Sequence, residues 1–301
     1  MARKIKKETK SRKNEFKPLL LILGFVLIIT GLIGVYRVVK EQLHSVVETP
    51  QSEVKRVPHD VRKNLKKDFA PTYRVPILLY HYVEYVSDKK DTTRQSLDIS
   101  PYVFEQQVKT LHDAGYTFMT ASQLADAINK KRELPGKPVL LTFDDGHWDV
   151  DTVILPILKK YHAKATAYLI SGFLNGSDFL TDAEVKDLIN SHLIEIGAHT
   201  VHHISLKGVL QPVVVYEVNQ SKQALEKNYY IKVVSFAYPD GAFDQQAIDD
   251  VKAAGYTSAV STIPGTTQSA QNRFFLFRLR PGYRTGQELI NYLNQNSFKS
   301  H

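Results

Sequence analysis

Two adjacent carboxylates, Asp144 and Asp145, sit in the run Thr-Phe-Asp-Asp-Gly at residues 142–146, at the end of the apolar stretch 138–143. Continuous Val, Leu and Phe is how a strand buried on both faces reads, and Gly146 permits an abrupt turn after it. Successive side chains on a strand point to opposite sides, so the two carboxylates should diverge. One is then placed to hold a metal while the other receives a proton. A second group follows another apolar strand pattern, in Ile-Gly-Ala-His-Thr-Val-His-His-Ile-Ser-Leu at 196–206. His199 and His203 are four apart, a spacing that one helical turn stacks on one face. Two imidazoles and a carboxylate from a neighbouring strand end make three ligands with an open position, the count of a catalytic metal site rather than a structural one. His202 would lie about 100° from His203 on such a helix, outside the ligand set. Surface histidines capping strand ends are the plain alternative.

Both groups need strand ends gathered on one face, and the chain supplies the pattern. Strands are expected at 75–80, 116–119, 139–143, 165–170, 194–198, 233–237, 258–260 and 275–279. Helical patterns separate most of them. Ser100 with Pro101 opens one helix that Gly115 stops, and another runs over 121–130. A third covers 151–162. Thr181 with Glu184, and Thr285 with Glu288, make capping boxes. A longer helix runs to about 228, and Asp244 caps one that Gly255 ends. Strict alternation argues for a parallel sheet, and about 225 residues suit a (β/α) barrel, with a doubly wound open sheet as the alternative. Either fold collects chemistry at the carboxyl ends of its strands.

The charge is unevenly spread. Residues 1–40 hold ten Lys or Arg against Glu8 and Glu15, which accounts for the whole net charge of +8. The remainder is neutral, so the basic balance gives no reason to expect nucleic acid as a partner. Residues 18–36 form nineteen positions without a charge, enough for a helix to cross a bilayer. Eight basic residues precede them, which keeps the N-terminus cytoplasmic and exports the rest. A cleaved signal peptide is the alternative, although no Ala-x-Ala site follows. The expected organisation is a basic cytoplasmic tail at 1–17, a membrane anchor at 18–37, an extracellular linker at 38–73 and a catalytic domain at 74–297. Cysteine is absent, so neither disulfides nor thiolate ligands enter.

The two motifs and their order resemble the polysaccharide deacetylases, metal-dependent carbohydrate esterases related to the nodulation-factor deacetylase. The likeness extends over roughly 75–285. Val-Pro-Ile-Leu-Leu-Tyr-His-Tyr-Val at 75–83 and Phe-Ala-Tyr-Pro-Asp-Gly at 236–241 resemble the branch containing the poly-N-acetylglucosamine deacetylases. The resemblance implies a distorted (β/α)7-type barrel. It also implies Asp145, His199 and His203 as ligands of a divalent ion, usually zinc, and Asp144 as the base that takes a proton from the attacking water. Pro239 and the backbone N–H of Asp240 would shape an oxyanion hole, and His81 would be the general acid. The implied partner is an N-acetylated polysaccharide, poly-N-acetylglucosamine or peptidoglycan. Other acetyl hydrolysis on the same scaffold, or a silent glycan-binding homologue, are the competing functions.

Several positions depart from the family pattern. Many members carry a C-terminal Leu-x-His acid, whereas here the only histidine after His203 is His301. His81 is therefore the expected acid, with His147 and His202 as substitutes. Asp240 stands where an aromatic is usual. Ala237 occupies the place of an arginine that supports the base elsewhere, so that support is expected to be missing. Among Tyr82, Tyr85, Trp148, Tyr238 and Phe243, which adjoin the motifs, Trp148 and Tyr238 are the candidates for stacking on sugar rings.

Overall fold

The structure, a computed structural model, describes residues 56–65, 71–88 and 90–295. The expected anchor at 18–37 lies outside the described residues, and no described helix is long and apolar enough to cross a membrane. Residues 56–65, within the expected linker, include α1 (His59–Asn64), whose Val61 is buried in the core. Asp60 on the same helix accepts a hydrogen bond from Gln245 N at 2.9 Å.

In chain order there follow β1 (Thr72–Arg74), β2 (Ile77–Tyr80), β3 (Tyr82–Val83), α2 (Thr92–Leu97), β4 (Asp98–Ile99), α3 (Pro101–Asp113) and β5 (Thr117–Met119). Next are α4 (Ala121–Ile128), β6 (Pro138–Phe143), a π-helical turn (Val150–Ile154), α5 (Leu155–Lys160), β7 (Ala165–Leu169), α6 (Asp182–Asn190) and β8 (Ile194–Ala198). The last third holds α7 (Gln211–Tyr229), β9 (Ser235–Ala237), α8 (Gln245–Ala253), β10 (Ser258–Pro264), β11 (Thr267–Ser269), β12 (Leu276–Arg278) and α9 (Gly286–Gln295).

Seven parallel strands run in the order β12, β10, β9, β8, β7, β6, β2, and β5 pairs with the first half of β6. Leu279, just past β12, donates to Ile77 O at 2.8 Å and accepts from Leu79 N at 2.9 Å. Those bonds join the two ends of the row into a nearly closed barrel, so the open doubly wound sheet is excluded. Three of the expected caps are where the sequence placed them. Ser100 accepts from Val103 N, Thr181 and Glu184 cap each other's backbone, and Asp244 accepts from Ala247 N. The helix expected at 151–162 instead begins as a π turn. Pro156 has no N–H to give to the carbonyl four residues earlier, so the regular ladder starts late. The pairings β1–β11 and β3–β4 involve runs of two or three residues, too short to leave a periodic signal.

Alternation sorts the core into two layers. Leu78, Tyr80, Val139, Leu141 and Phe143 point outward against the helices. Ile77, Leu140, Tyr168, Ala237, Val260 and Leu276 fill the interior, joined by Leu124 and Ile128 of α4. Residues that continue the inward register past the last filled layer open onto the barrel mouth. Asp144 continues the inward register of Leu140 and Thr142 on β6.

Candidate active site

Asp144 and Asp145 do diverge, but by a different device from simple strand alternation. Asp144 keeps the strand register, its N–H donating to Tyr80 O at 3.0 Å. Asp145 leaves it with φ +77°, and Gly146 follows at φ +84°. Two consecutive left-handed residues swing the Asp145 carboxylate towards the end of β8. Aspartate tolerates that conformation better than most residues. A Cβ on Gly146 would lie 2.8 Å from Leu169 Cδ2, so glycine is required there.

Asp145 Oδ1 lies 3.3 Å from both His199 Nε2 and His203 Nε2. The ligand atoms of the three residues fall within 4.8 Å of one another. His199 Nδ1 is 2.8 Å from Ala237 O, to which it donates its proton, so Nε2 presents a lone pair to the centre. Asp145 Oδ1 is buried without a hydrogen-bond donor. A buried carboxylate oxygen facing ring nitrogens with no proton between it and His199 calls for a cation, and the donor set of two imidazoles and one carboxylate fits a divalent ion with open positions. Burial pushes the Asp145 pKa up, but the facing histidines outweigh it and hold the carboxyl well below the usual range.

The histidine pair is not on a helix. Residues 199–206 form a loop after β8, with Thr200 at φ +65° and His203 at φ +55°. Side-chain bonds do the work of helical spacing. Thr200 Oγ1 accepts from His203 N at 2.9 Å, closing the loop on itself. The buried Glu217 of α7 accepts from Val201 N and His202 N at 2.8 and 3.0 Å. His202 turns away to Glu217, Nδ1 to Oε1 at 2.7 Å, and stays out of the ligand set as its spacing implied. Glu217 was not legible as a site residue, because its partners are the backbone of a distant loop.

The expected absence of a supporting arginine is corrected by Arg278. Ala237 does hold its position in the barrel interior, but its small side chain leaves the space to a guanidinium arriving from β12. Arg278 Nη1 and Nη2 donate to Asp144 Oδ1 and Oδ2 at 2.8 and 2.7 Å, a bidentate pair. Its Nε donates to Ser261 O at 2.7 Å, and Nη1 also reaches Thr142 Oγ1 at 3.2 Å. Burial pushes the Asp144 pKa up; Arg278 overrides it and leaves the carboxyl below the ordinary range. Asp144 is thus an ionised acceptor at neutral pH. The sequence did contain a signal, the alternating arginines of Phe-Arg-Leu-Arg at 277–280 on the final strand.

His81 follows β2 directly and is half-buried at the mouth. Burial lowers its pKa to about 4, while Asp145 and Asp144 pull it up and Arg280 and Arg278 push it down. Its Nδ1 is buried without a partner among the described residues. His147 also joins the site. Its Nε2 lies 3.5 Å from Asp145 Oδ2, and its ring stacks between Tyr82 at 4.1 Å and Phe179 at 4.8 Å.

The proposed sugar-stacking surface changes accordingly. Tyr238 is fully buried, stacked on Phe243 at 4.8 Å with its hydroxyl donating to Phe274 O at 3.0 Å, so it is a core residue and not a platform. The run of apolar positions in β9 continues through it, with Phe236 packing edge-on to its ring. Tyr82 is occupied by His147 and by Arg94, whose guanidinium sits 4.6 Å from the ring centre. Trp148 is half-buried. Pro239, Asp240 and Gly241 form a 3₁₀ turn after β9, with Asp240 exposed at φ +57° in the Asp-Gly turn. The Asp240 charge still reaches His203. Gly241 is obligatory, since a Cβ there would run into the Thr262 side chain.

Comparison with known proteins matches this architecture. The family model described as polysaccharide deacetylase matches residues 131–259, which include both motifs. The chain is 30% identical over 207 residues to YxkH of Bacillus subtilis, covering 69% of this chain and 71% of that protein. It is 25% identical over 214 residues to the poly-beta-1,6-N-acetyl-D-glucosamine N-deacetylase of Staphylococcus aureus, covering 67% and 73%. The Streptococcus pyogenes deacetylase PplD, solved in complex with acetate, superposes with a TM-score of 0.69 at 29% identity, covering 76% of this chain and all of that one. The match to relatives thus extends over most of their length, and this chain belongs to the polysaccharide deacetylase family of hydrolases.

Proposed function

We propose that the chain removes N-acetyl groups from an N-acetylglucosamine-containing polysaccharide, poly-N-acetylglucosamine or peptidoglycan, outside the cell. The observation that carries this reading is the Asp144–Arg278 pair standing beside the Asp145, His199 and His203 cluster at the barrel mouth. The resemblance of 18–37 to a membrane span, with basic residues before it, supports an anchored enzyme whose catalytic domain is exported.

An N-acetyl amide resists hydrolysis because its carbonyl is a poor electrophile and its amine a poor leaving group. Asp145, His199 and His203 would hold a divalent ion, most simply zinc, which supplies Lewis-acid polarisation of the acetyl oxygen and a lowered pKa for water. Asp144 takes the proton of the attacking water as the C–O bond forms, and Arg278 keeps that carboxylate ionised and correctly turned. The backbone N–H of Asp240, in the turn after Pro239, would donate to the developing oxyanion. His81 gives a proton to the departing nitrogen as the C–N bond breaks. The products are a free amine and acetate.

Incubating the full chain with poly-N-acetylglucosamine, peptidoglycan and acetylated xylan, before and after chelation, tests the reading. Acetate from one or both of the first two, lost on chelation and restored by zinc, is the expected result. Release from the xylan alone would make it an O-acetyl esterase, and no release would overturn both. The role of His81 carries its own pH signature. A donor held near 4 is protonated in a fraction that rises about tenfold for each unit of pH lowered from 7 towards 5. With zinc saturating, kcat should climb along that limb in the wild type and lose the slope in His81→Gln. A wild-type profile that is flat there would remove His81 as the acid.

A further inference from the structure

We infer that this enzyme recognises an N-acetylated glycan bearing an anionic substituent close to the sugar it attacks, and that Arg280 is the residue that reads it. The inference rests on the deacetylase reading above and narrows its substrate.

Register places Arg280 at the barrel mouth. Leu276 packs in the interior layer, Phe277 against the outer one, and Arg278 lies inward on Asp144. Leu279 turns outward again, its backbone held on β2 by bonds to Ile77 and Leu79. The next inward position is Arg280, one layer above the Asp144–Arg278 pair and past the last filled level of the barrel. Its charge acts on His81, Asp144 and Asp145. It is nevertheless exposed, and among the described residues it has no hydrogen-bond or ion-pair partner.

That is an unusual state for a guanidinium beside two carboxylates. Asp144 is already paired in bidentate fashion with Arg278, and Asp145 faces histidines. With a divalent ion held by the cluster, positive charge at the mouth exceeds negative. With that ion bound, the two carboxylates would not compensate Arg278, Arg280 and the ion together. A neutral N-acetylglucosamine polymer offers Arg280 only hydroxyls. A carboxylate or phosphate on the same or the adjoining sugar offers the planar, bidentate partner that arginine suits best.

A second cationic surface lies on the Asp240 side. A cavity of about 560 Å³ beside Gly241, Ala242 and Phe243 is lined by the cationic residues Arg56 and Arg62. Its one carboxylate, Asp60, is engaged by Gln245 N. A polymer whose acidic groups recur along its length would meet cations at both places.

The test uses three size-matched oligomers of N-acetylglucosamine: unsubstituted, carrying 3-O-lactyl carboxylates, and carrying phosphate. Acetate release and equilibrium binding are measured with the full-length, zinc-loaded chain. The wild type should prefer at least one acidic oligomer over the neutral one by about tenfold or more in kcat/KM, the scale of one charged hydrogen-bonded contact. That preference should collapse in Arg280→Gln, survive in part in Arg280→Lys, and shrink with rising salt. Whichever acidic oligomer is preferred identifies the source of the anion. Equal handling of all three by the wild type would overturn the inference. So would an Arg280→Gln loss that is the same for all three and accompanied by a moved His81 limb, since Arg280 would then act through His81. If no acetate is released but the acidic oligomers still bind more tightly in an Arg280-dependent way, only the deacetylase reading fails.

Discussion

Asp144→Asn should lower acetate release by about 10²–10⁴-fold, the range a positioned general base contributes. Zinc content should stay that of the wild type, because Asp144 is not among the three cluster residues. An amide cannot take the proton of water, and it meets Arg278 with one acceptor oxygen where the carboxylate offered two. The side chains of the pair are 0% and 3% exposed. Breaking such a pair leaves an uncompensated buried charge, at a cost of about 3–5 kcal/mol. Rate and stability therefore fall together in the single variant, and a companion is needed to separate them. Asp144→Asn combined with Arg278→Met removes the stranded cation, so urea unfolding should show much of the stability recovered. Activity should not return with it. An undiminished rate in the single variant would end the assignment of Asp144 as base.

Arg278→Met alone should be the more damaging change to the fold at neutral pH, again by about 3–5 kcal/mol, because it strands a buried carboxylate. The pH dependence follows from the shift of Asp144. In the wild type its pKa lies below the ordinary aspartate value of 3.8, so the pair contributes stability above that value that is lost as pH falls through the folded pKa. Without Arg278, burial is left to dominate and the folded pKa rises above the unfolded one. The sign then reverses: protonated Asp144 is favoured in the folded state, and stability declines as pH rises through the raised pKa. The deficit of Arg278→Met should thus be greatest near neutrality and narrow as the buffer is acidified. The acidic limb of kcat/KM should move to higher pH, since the base is protonated sooner. A deficit that stays constant down to acidic pH would show that Arg278 acts on the fold without tuning Asp144.

The two changes illustrate which parts of the site act as a unit. Asp144, Arg278 and Thr142 are linked directly, and Ser261 O holds the guanidinium. Asp145, His199 and His203 form a second group, tied to the first through the backbone of the Asp-Asp step and through the charges of His199 and His203 acting with Asp144. Effects on stability within each group should be strongly non-additive, and effects on activity should be non-additive between the groups as well, because both act on the same water.

Much of the architecture was legible because it is written in local chemistry. Apolar runs, capping residues and Gly stops act within a few positions, so the alternation of strands and helices could be read directly, and with it the parallel barrel. The cluster of Asp145, His199 and His203 was legible for a related reason. Asp145, His199 and His203 each follow an apolar strand pattern, and parallel strands deliver their carboxyl ends to one face. The route differed, however. Helical spacing was the expected device for His199 and His203, whereas left-handed residues at Thr200 and His203, Thr200 Oγ1 and Glu217 bring the rings together.

Asp144 and Asp145 thus show, from sequence alone, two diverging carboxylates side by side after a buried strand. Which partners complete them is a matter of which strands become neighbours and which side chains share the inward register. Arg278 lies 134 residues from Asp144 and reaches it only because the ring nearly closes between β12 and β2. Tyr238, an aromatic beside the Pro239–Gly241 turn, could equally have been platform or core until Phe243 and Phe274 enclosed it. Residue type and local spacing determine what chemistry the chain can offer; long-range register decides which groups share a dry interior, and so which charges are paired and which, like Arg280, are left for a ligand.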